Sequence, residues 1–182
     1  MGNSLQKETA ILSPLEAFYI KLSKSAFRQE KQSHKMKTIA KLCSMGQFQL
    51  GLSRFRDLLK IENIGIQKLP ERAFSFRDGA GRGHAEWTDG KGTIYVLDNI
   101  DSWHPSVQLI ELNHKYKSVL LRKSGKRNDD ECIASLLELD LALLDVVEFG
   151  GGPIKEIKRF RTAYQQRLTD IYERIRLTEK IA

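Results

Sequence analysis

The sequence predicts an α+β fold, in which basic N-terminal helices precede a small antiparallel sheet of about five strands and two C-terminal helices pack on that sheet. Apolar residues recur at helical spacing before residue 65 and after residue 128. The stretch between them holds short β-rich segments separated by turn residues. The predicted organisation is a flexible tail at 1–12 and a single domain at 13–182, with a basic helical part at 13–65, a β-meander at 72–123 and a helical part at 128–180.

The first helix begins at a capping box, Ser13-Pro14-Leu15-Glu16, with proline at the first helical position. The polar window at 29–34 is either a break between two helices or the exposed middle of one long helix. Apolar spacing resumes over 36–43, and Gly46 is the expected end of that helix. A further helix is predicted from Phe48 to Leu59.

A basic stripe is predicted on the first helical segment, at steps of three and four residues. Residues 1–70 contain twelve Lys and Arg against five Asp and Glu, so the whole net charge of +7 arises in this part of the chain. Concentrated positive charge attracts nucleic acid or an anionic membrane face, although it also occurs as a plain solubilising surface. The stripe consists of Lys21, Lys24, Arg28, Lys31 and Lys35.

The middle of the chain predicts the sheet. Turn residues at 78–79, 89–92 and 103–105 separate short segments that are rich in β-branched and aromatic residues. Closely spaced segments of this kind are typical of an antiparallel meander. The expected strands are 74–77, 84–88, 93–97, 107–112 and 116–122.

The C-terminal third predicts two helices. Asn128 is the expected N-cap of the first, and acidic residues follow it in the first turn, where the helix dipole favours negative charge. The body of this helix is apolar on most sides, as in a central core helix, and it ends at Gly150–Pro153. The last helix, from Ile154, carries an apolar stripe that is long enough to pair with another helix or with a second protomer, and a homo-oligomer through this helix is expected.

The glycine-rich stretch Phe76–Trp87 has three possible interpretations: a phosphate-binding loop, half of a metal site, or a turn between two strands. Its glycines precede residues of strand character instead of a helix, which favours a hairpin loop over a nucleotide-binding loop. Arg77 and Arg82 in that loop are candidate anion contacts. His84-Ala85-Glu86 is similar to the His-x-Glu half of the zinc-dependent nucleoside and base deaminases.

The second half of the deaminase motif, Pro-Cys-x-x-Cys, does not occur in this sequence. The resemblance is therefore rejected, and neither a metal nor a cofactor is predicted. His-Glu-x-x-His and Gly-x-Ser-x-Gly are also missing from the sequence. A metal-dependent nuclease or other hydrolase remains an alternative, with His84, Glu86 and Glu111 as the candidate catalytic residues.

Charge placement favours a non-enzymatic protein that contacts the phosphate backbone of RNA or DNA. The basic stripe and a second basic cluster would make those contacts. The second cluster consists of Lys115, Lys117, Arg122, Lys123, Lys126 and Arg127.

A third alternative is a peripheral-membrane or matrix-type assembly protein. Gly2 permits N-myristoylation, and the basic helices would supply the second membrane signal. The two cysteines lie far apart within apolar patterns, which predicts a reducing compartment such as the cytoplasm or nucleus. Neither a secretory leader nor a transmembrane segment is expected.

Overall fold

The computed structural model describes residues 12–25, 30–74 and 92–182. Of these described residues, 76% are helical, and the only sheet among them has two strands. The helices are α1 (Pro14–Lys24), α2 (Glu30–Ser44), α3 (Phe48–Ile61), α4 (Pro105–Lys123), α5 (Asp130–Phe149) and α6 (Ile154–Ile181). The strands are β1 (Gly65–Leu69) and β2 (Thr93–Leu97), and short 3-10 turns follow each of them at Glu71–Phe74 and Ile100–Ser102.

The predicted antiparallel sheet of about five strands is wrong. β1 and β2 pair in parallel, with Gly65 opposite Thr93 and Leu69 opposite Leu97. The expected strand at 93–97 is β2, whereas 107–112 and 116–122 both lie within α4. The segment 84–88 lies outside the described residues, as does 74–77 except for Phe74 at the end of a 3-10 turn.

Burial explains why α4 resembles strands in the sequence. Residues 106–110 are all buried, so the helix does not alternate between a core face and a solvent face. A helix buried on most sides produces short apolar runs that periodicity cannot distinguish from strands. Local sequence nevertheless determines where α4 begins. Pro105 occupies the first turn, and His104 Nδ1 accepts a hydrogen bond from the Ser106 N–H at 3.2 Å.

The N-terminal helices follow the sequence signals more closely. Both hydrogen bonds of the capping box are present: the Ser13 hydroxyl accepts from the Glu16 N–H, and the Glu16 carboxylate accepts from the Ser13 N–H. α1 ends at Lys24 and α2 begins at Glu30, so the polar window separates two helices. The Gln32 side chain donates to the Glu62 carboxylate, which joins the start of α2 to the end of α3 and shows that the two helices run antiparallel.

α5 lies at the centre of the molecule and contacts α1, α2, α4 and α6. Its N-cap is Asp129, and not Asn128 as expected, because the Asp129 carboxylate accepts a hydrogen bond from the Cys132 N–H at 3.1 Å. α6 packs along α5 and buries Ile157, Tyr164 and Ile171. These residues belong to the stripe that predicted a second protomer, so much of that stripe is covered within the chain.

One buried cluster includes side chains from all six helices and from β2. The sheet lies at its edge, since β2 is buried at Ile94 and Val96 whereas most of β1 is exposed. Within the described ranges, none of the helices combines the length and the apolar character that a bilayer-spanning segment needs.

Candidate nucleic-acid interface

An open groove of about 590 Å³ runs between α2 and α3. Two of its apolar side chains, Ile39 and Leu58, are buried, and a third, Ile61, is 64% exposed. Arg54 and Lys60 are exposed and Lys35 is half-buried, so three cationic groups border the apolar surface. We call this feature the α2–α3 groove; it is lined by Lys35, Thr38, Ile39, Arg54, Asp57, Leu58, Lys60 and Ile61.

Helical spacing places these side chains on facing surfaces. On α2, residues 35, 38 and 39 follow the i, i+3, i+4 pattern, and on α3, residues 54, 57, 58 and 61 extend it to i+7. Lys60 lies beside this second stripe and also lines the groove. The groove is therefore a consequence of two amphipathic helices that pack antiparallel along adjoining stripes.

The charges around the groove are predominantly positive. Asp57 is the only carboxylate among the lining residues, against Lys35, Arg54 and Lys60. In the part of the chain that the structure describes, none of these three cations forms an ion pair with a carboxylate. Exposed cations of this kind concentrate anions from solution and can exchange their counterions for phosphates.

The structure divides the predicted basic stripe between two helices. Lys21 and Lys24 are exposed in the last turns of α1, while Lys35 lies on α2 in the groove. Lys31 is part of α2, but its side chain is outside the described structure, and Arg28 lies outside the described residues altogether. Of this stripe, Lys35 is the residue that joins the α2–α3 groove.

The second basic cluster separates into a buried pair and an exposed turn. Lys115 and Lys117 are 2% and 5% exposed, so neither is accessible to a phosphate. The Lys115 ammonium donates to the Tyr95 carbonyl of β2 and pairs with Glu111 at 3.1 Å. Arg122 is half-buried in the last turn of α4, Lys123 is exposed at the last residue of α4, and Lys126 and Arg127 are exposed in the turn that follows.

Lys117 belongs to a buried polar cluster centred on Asp140 of α5. Lys117 Nζ lies 2.6 Å from Asp140 Oδ1, and the Asn113 side-chain amide donates to the same oxygen at 3.2 Å. His114 Nδ1 lies 2.8 Å from Asp140 Oδ2, and the His114 ring stacks on Tyr164 of α6 with the ring centroids 4.9 Å apart. The cluster therefore connects α4, α5 and α6 through the core.

The pKa values in this cluster reflect burial opposed by charge pairing. Burial alone would raise the pKa of Asp140, but Lys117 and His114 outweigh that effect, and the pKa lies below its ordinary value. Burial lowers the pKa of Lys117, against the attraction of the Asp140 carboxylate. Burial also raises the pKa of the Tyr164 hydroxyl well above its usual range.

Of the three candidate catalytic residues, only Glu111 lies in the part of the chain that the structure describes. The described residues contain no group of three or more His, Cys, Asp and Glu side chains that is arranged to hold a metal ion. Asp140 is engaged by an ammonium group, and Glu111 lies on a helix beside Lys115 instead of on a strand. His84 and Glu86, the other candidates, lie outside the described residues, as do Arg77 and Arg82.

Arg54 and Lys60 were not predicted from the sequence as site residues. A signal for Arg54 exists in the sequence, because residues 54, 57, 58 and 61 form one helical stripe with mixed polar and apolar character.

No protein-family model, no curated protein and no solved structure matches this chain.

Proposed function

We propose that the protein binds the phosphate backbone of single-stranded nucleic acid in the α2–α3 groove. The observation that carries the proposal is the convergence of Lys35, Arg54 and Lys60, from two helices, around an open apolar surface. Three cations on separate turns can each contact a different phosphate of one strand.

The size of the groove favours a single strand. Its volume of about 590 Å³ falls within the range typical of small-ligand sites, which suits a nucleotide unit better than a whole duplex. Ile61, which is 64% exposed, offers apolar surface to a sugar or to the face of an unstacked base. Contacts of this kind carry no base sequence information, so the proposal covers RNA and DNA alike.

Exposed cations outside the groove extend the proposed surface. Lys21 and Lys24 on α1, Lys123 at the end of α4, and Lys126 and Arg127 in the turn that follows are accessible to phosphates. Burial removes Lys115 and Lys117 from this surface. The nuclease and membrane alternatives depend on His84, Glu86 and Gly2, which lie outside the described residues, and they stay sequence-based predictions.

The test is a binding assay with a charge-matched control. Fluorescence anisotropy of labelled single-stranded RNA and DNA is measured at low salt for the wild type and for the triple variant Lys35→Gln, Arg54→Gln, Lys60→Gln. We expect the groove variant to lose at least about tenfold in affinity, because three phosphate contacts are removed. The control, Lys155→Gln, Lys158→Gln, Arg176→Gln, removes the same charge from exposed positions on α6.

The control should retain most of the affinity. An equal loss in both triple variants would mean that net charge, and not the groove, determines binding. No measurable binding by the wild type at low salt would end the proposal.

A further inference from the structure

Three exposed apolar side chains lie at one end of the molecule, where α2 and α5 end and α6 begins. Met45 is in the turn after α2, Phe149 is the last residue of α5, and Ile154 is the first residue of α6. They are 59%, 64% and 67% exposed, respectively. We call these three residues the apolar tip; none of them lines the α2–α3 groove.

Backbone contacts bring the two turns of the tip together. The Gly150 carbonyl oxygen lies 3.0 Å from the position that a Cβ on Gly46 would occupy, and a Cβ on Gly150 would lie 3.2 Å from the Gly46 nitrogen. Met45 precedes Gly46 and Phe149 precedes Gly150, so both side chains are attached next to this contact. Ile154 begins α6 directly after the same turn.

The tip lies where the chain reverses direction. Arg161 of α6 pairs with Glu148 near the end of α5, and Arg174 pairs with Asp130 at its start, so α5 and α6 run antiparallel. α2 and α3 run antiparallel as well. The side chains of the tip can therefore enter an apolar phase while the helices behind them stay in water.

Exposed lysines flank both turns. Lys41 lies one helical turn before Met45, and Lys155 and Lys158 follow Ile154 in the first turns of α6. In the part of the chain that the structure describes, these three lysines form no ion pair with a carboxylate. Their ammonium groups are therefore available to an anionic partner, and their aliphatic stems extend the apolar surface of the tip.

The carboxylates near the tip do not balance these lysines. Asp145 and Glu148, in the last turns of α5, both pair with Arg161 of α6. Glu156 is half-buried, and it is the one carboxylate between Phe149 and Arg161 in the sequence. The three lysines therefore leave a net positive charge around the tip, which complements an anionic surface.

We propose that the apolar tip is a contact site for the surface of a membrane that contains anionic lipids. Met45, Phe149 and Ile154 enter the boundary between headgroups and acyl chains, and the flanking lysines meet the anionic headgroups. Exposed apolar patches serve protein partners as well as membranes. The position at chain reversals and the single sign of the unpaired lysines favour the membrane. The contact involves neither Gly2 nor the α2–α3 groove, and it does not depend on the proposed nucleic-acid binding.

The experiment is cosedimentation of the protein with vesicles of equal parts phosphatidylcholine and phosphatidylserine, compared with vesicles of phosphatidylcholine alone. Production in a bacterial host keeps Gly2 free of myristate. We expect the wild type to bind the anionic vesicles more tightly than the neutral ones. Phe149→Ser, Ile154→Ser should weaken binding to the anionic vesicles by about tenfold or more, because two apolar side chains no longer leave water.

The matched control is Leu177→Ser, Ile181→Ser, which changes two other apolar side chains, 54% and 86% exposed, near the opposite end of α6. It should bind anionic vesicles as the wild type does. The charge variant Lys41→Gln, Lys155→Gln, Lys158→Gln should also lose about tenfold or more in affinity for them. All of these positions are exposed, so the variants should keep the fold, which circular dichroism checks.

Three results would overturn the proposal: no binding of the wild type to anionic vesicles, equal binding to neutral and anionic vesicles, or equal losses in Phe149→Ser, Ile154→Ser and in its control. Sedimentation velocity covers a protein partner of the same kind. Self-association that Phe149→Ser, Ile154→Ser abolishes, without vesicle binding by the wild type, would assign the tip to a second copy of the chain and not to a membrane. Since no nucleic acid is present in either measurement, failure here would leave the groove proposal standing.

Discussion

At the scale of single residues, Asp140 is the side chain on which the core cluster depends. Asp140→Asn leaves the Lys117 ammonium buried without a carboxylate, and it should lower the free energy of unfolding by about 3–5 kcal/mol. Urea denaturation followed by circular dichroism measures the loss. A decrease smaller than about 1 kcal/mol would show that the ion pair is not required in the core.

The double variant Lys117→Met, Asp140→Leu is the matched test of the same pair. Replacing both charges by apolar groups removes the desolvation cost together with the attraction, so most of the stability lost in Asp140→Asn should return. A double variant as unstable as Asp140→Asn would mean that Asn113 and His114 need the carboxylate as much as Lys117 does.

The lowered pKa of Asp140 predicts a pH dependence of stability. Its pKa in the folded protein lies below the ordinary carboxyl value of about 3.9, so the unfolded chain takes up this proton at a higher pH than the folded chain. The contribution is fully present above the ordinary value and is lost as the pH falls through the folded pKa. Urea midpoints measured from neutral to acid pH should fall less steeply in Lys117→Met, Asp140→Leu than in the wild type. Parallel curves would contradict this assignment.

The roles of individual lysines could not be predicted from the sequence. Lys115 and Lys117 resemble phosphate contacts when they are counted with the basic residues that follow them, yet both lie in the core. Their burial depends on partners remote in sequence, the Tyr95 carbonyl of β2 and Asp140 of α5. A lysine is buried only where such a partner meets it, and the sequence does not show which residues will meet.

At the scale of elements, the turn between α5 and α6 requires glycine for reasons of space. A Cβ on Gly150 would lie 1.9 Å from the Cys43 carbonyl oxygen, a backbone atom at the end of α2. Gly150→Ala should therefore cost about 3 kcal/mol or more, since the α2 end and this turn must move apart. Chemical denaturation measures this loss, and complete unfolding would agree with it.

Gly151→Ala is the neighbouring control. Gly151 has φ +90° but no atom within 4 Å of an added Cβ, so alanine there meets backbone strain without a collision. The expected cost is about 1–2 kcal/mol. Equal losses of stability in Gly150→Ala and Gly151→Ala would contradict the close approach of the α5–α6 turn to the end of α2.

Helices with two different faces and the central helix α5 were predicted well, whereas α4, which is buried on most sides, was not. The Ser13–Glu16 capping box and the apolar spacing of α3 and α6 gave their positions correctly. α4 was divided into two strands because its continuous buried residues hide the spacing of three and four residues that identifies a helix. β1 was not predicted. It is mostly exposed, so its five residues lack an apolar pattern, and its pairing with β2, which is remote in sequence, cannot be inferred from those residues alone.

At the scale of the whole molecule, the helical fold differs measurably from the predicted α+β fold. With 76% of the described residues helical, far-ultraviolet circular dichroism should give a helix-dominated spectrum with more than half of the chain in helix. A five-stranded meander would instead reduce the helical signal and add a β component. A spectrum of the second kind would refute the helical assignment of α4.

The α2–α3 groove could be predicted only in part, because its two halves belong to different helices. The charge excess lies before residue 70, in the part of the chain that forms the groove, and Lys35 was included in the predicted stripe. Arg54 and Lys60 join Lys35 only once α3 turns back along α2, and that reversal is set by tertiary packing. The sequence therefore shows which part of the chain is basic, whereas helix packing determines which of its cations lie close together.

Salt dependence tests the central proposal most directly. Each phosphate contact on a single strand contributes about −0.7 to the slope of log K against log salt concentration. If Lys35, Arg54 and Lys60 contact phosphates, the triple variant should have a slope less negative than that of the wild type by about 2. The same slope in both proteins, or an equal change in Lys155→Gln, Lys158→Gln, Arg176→Gln, would contradict binding in the groove.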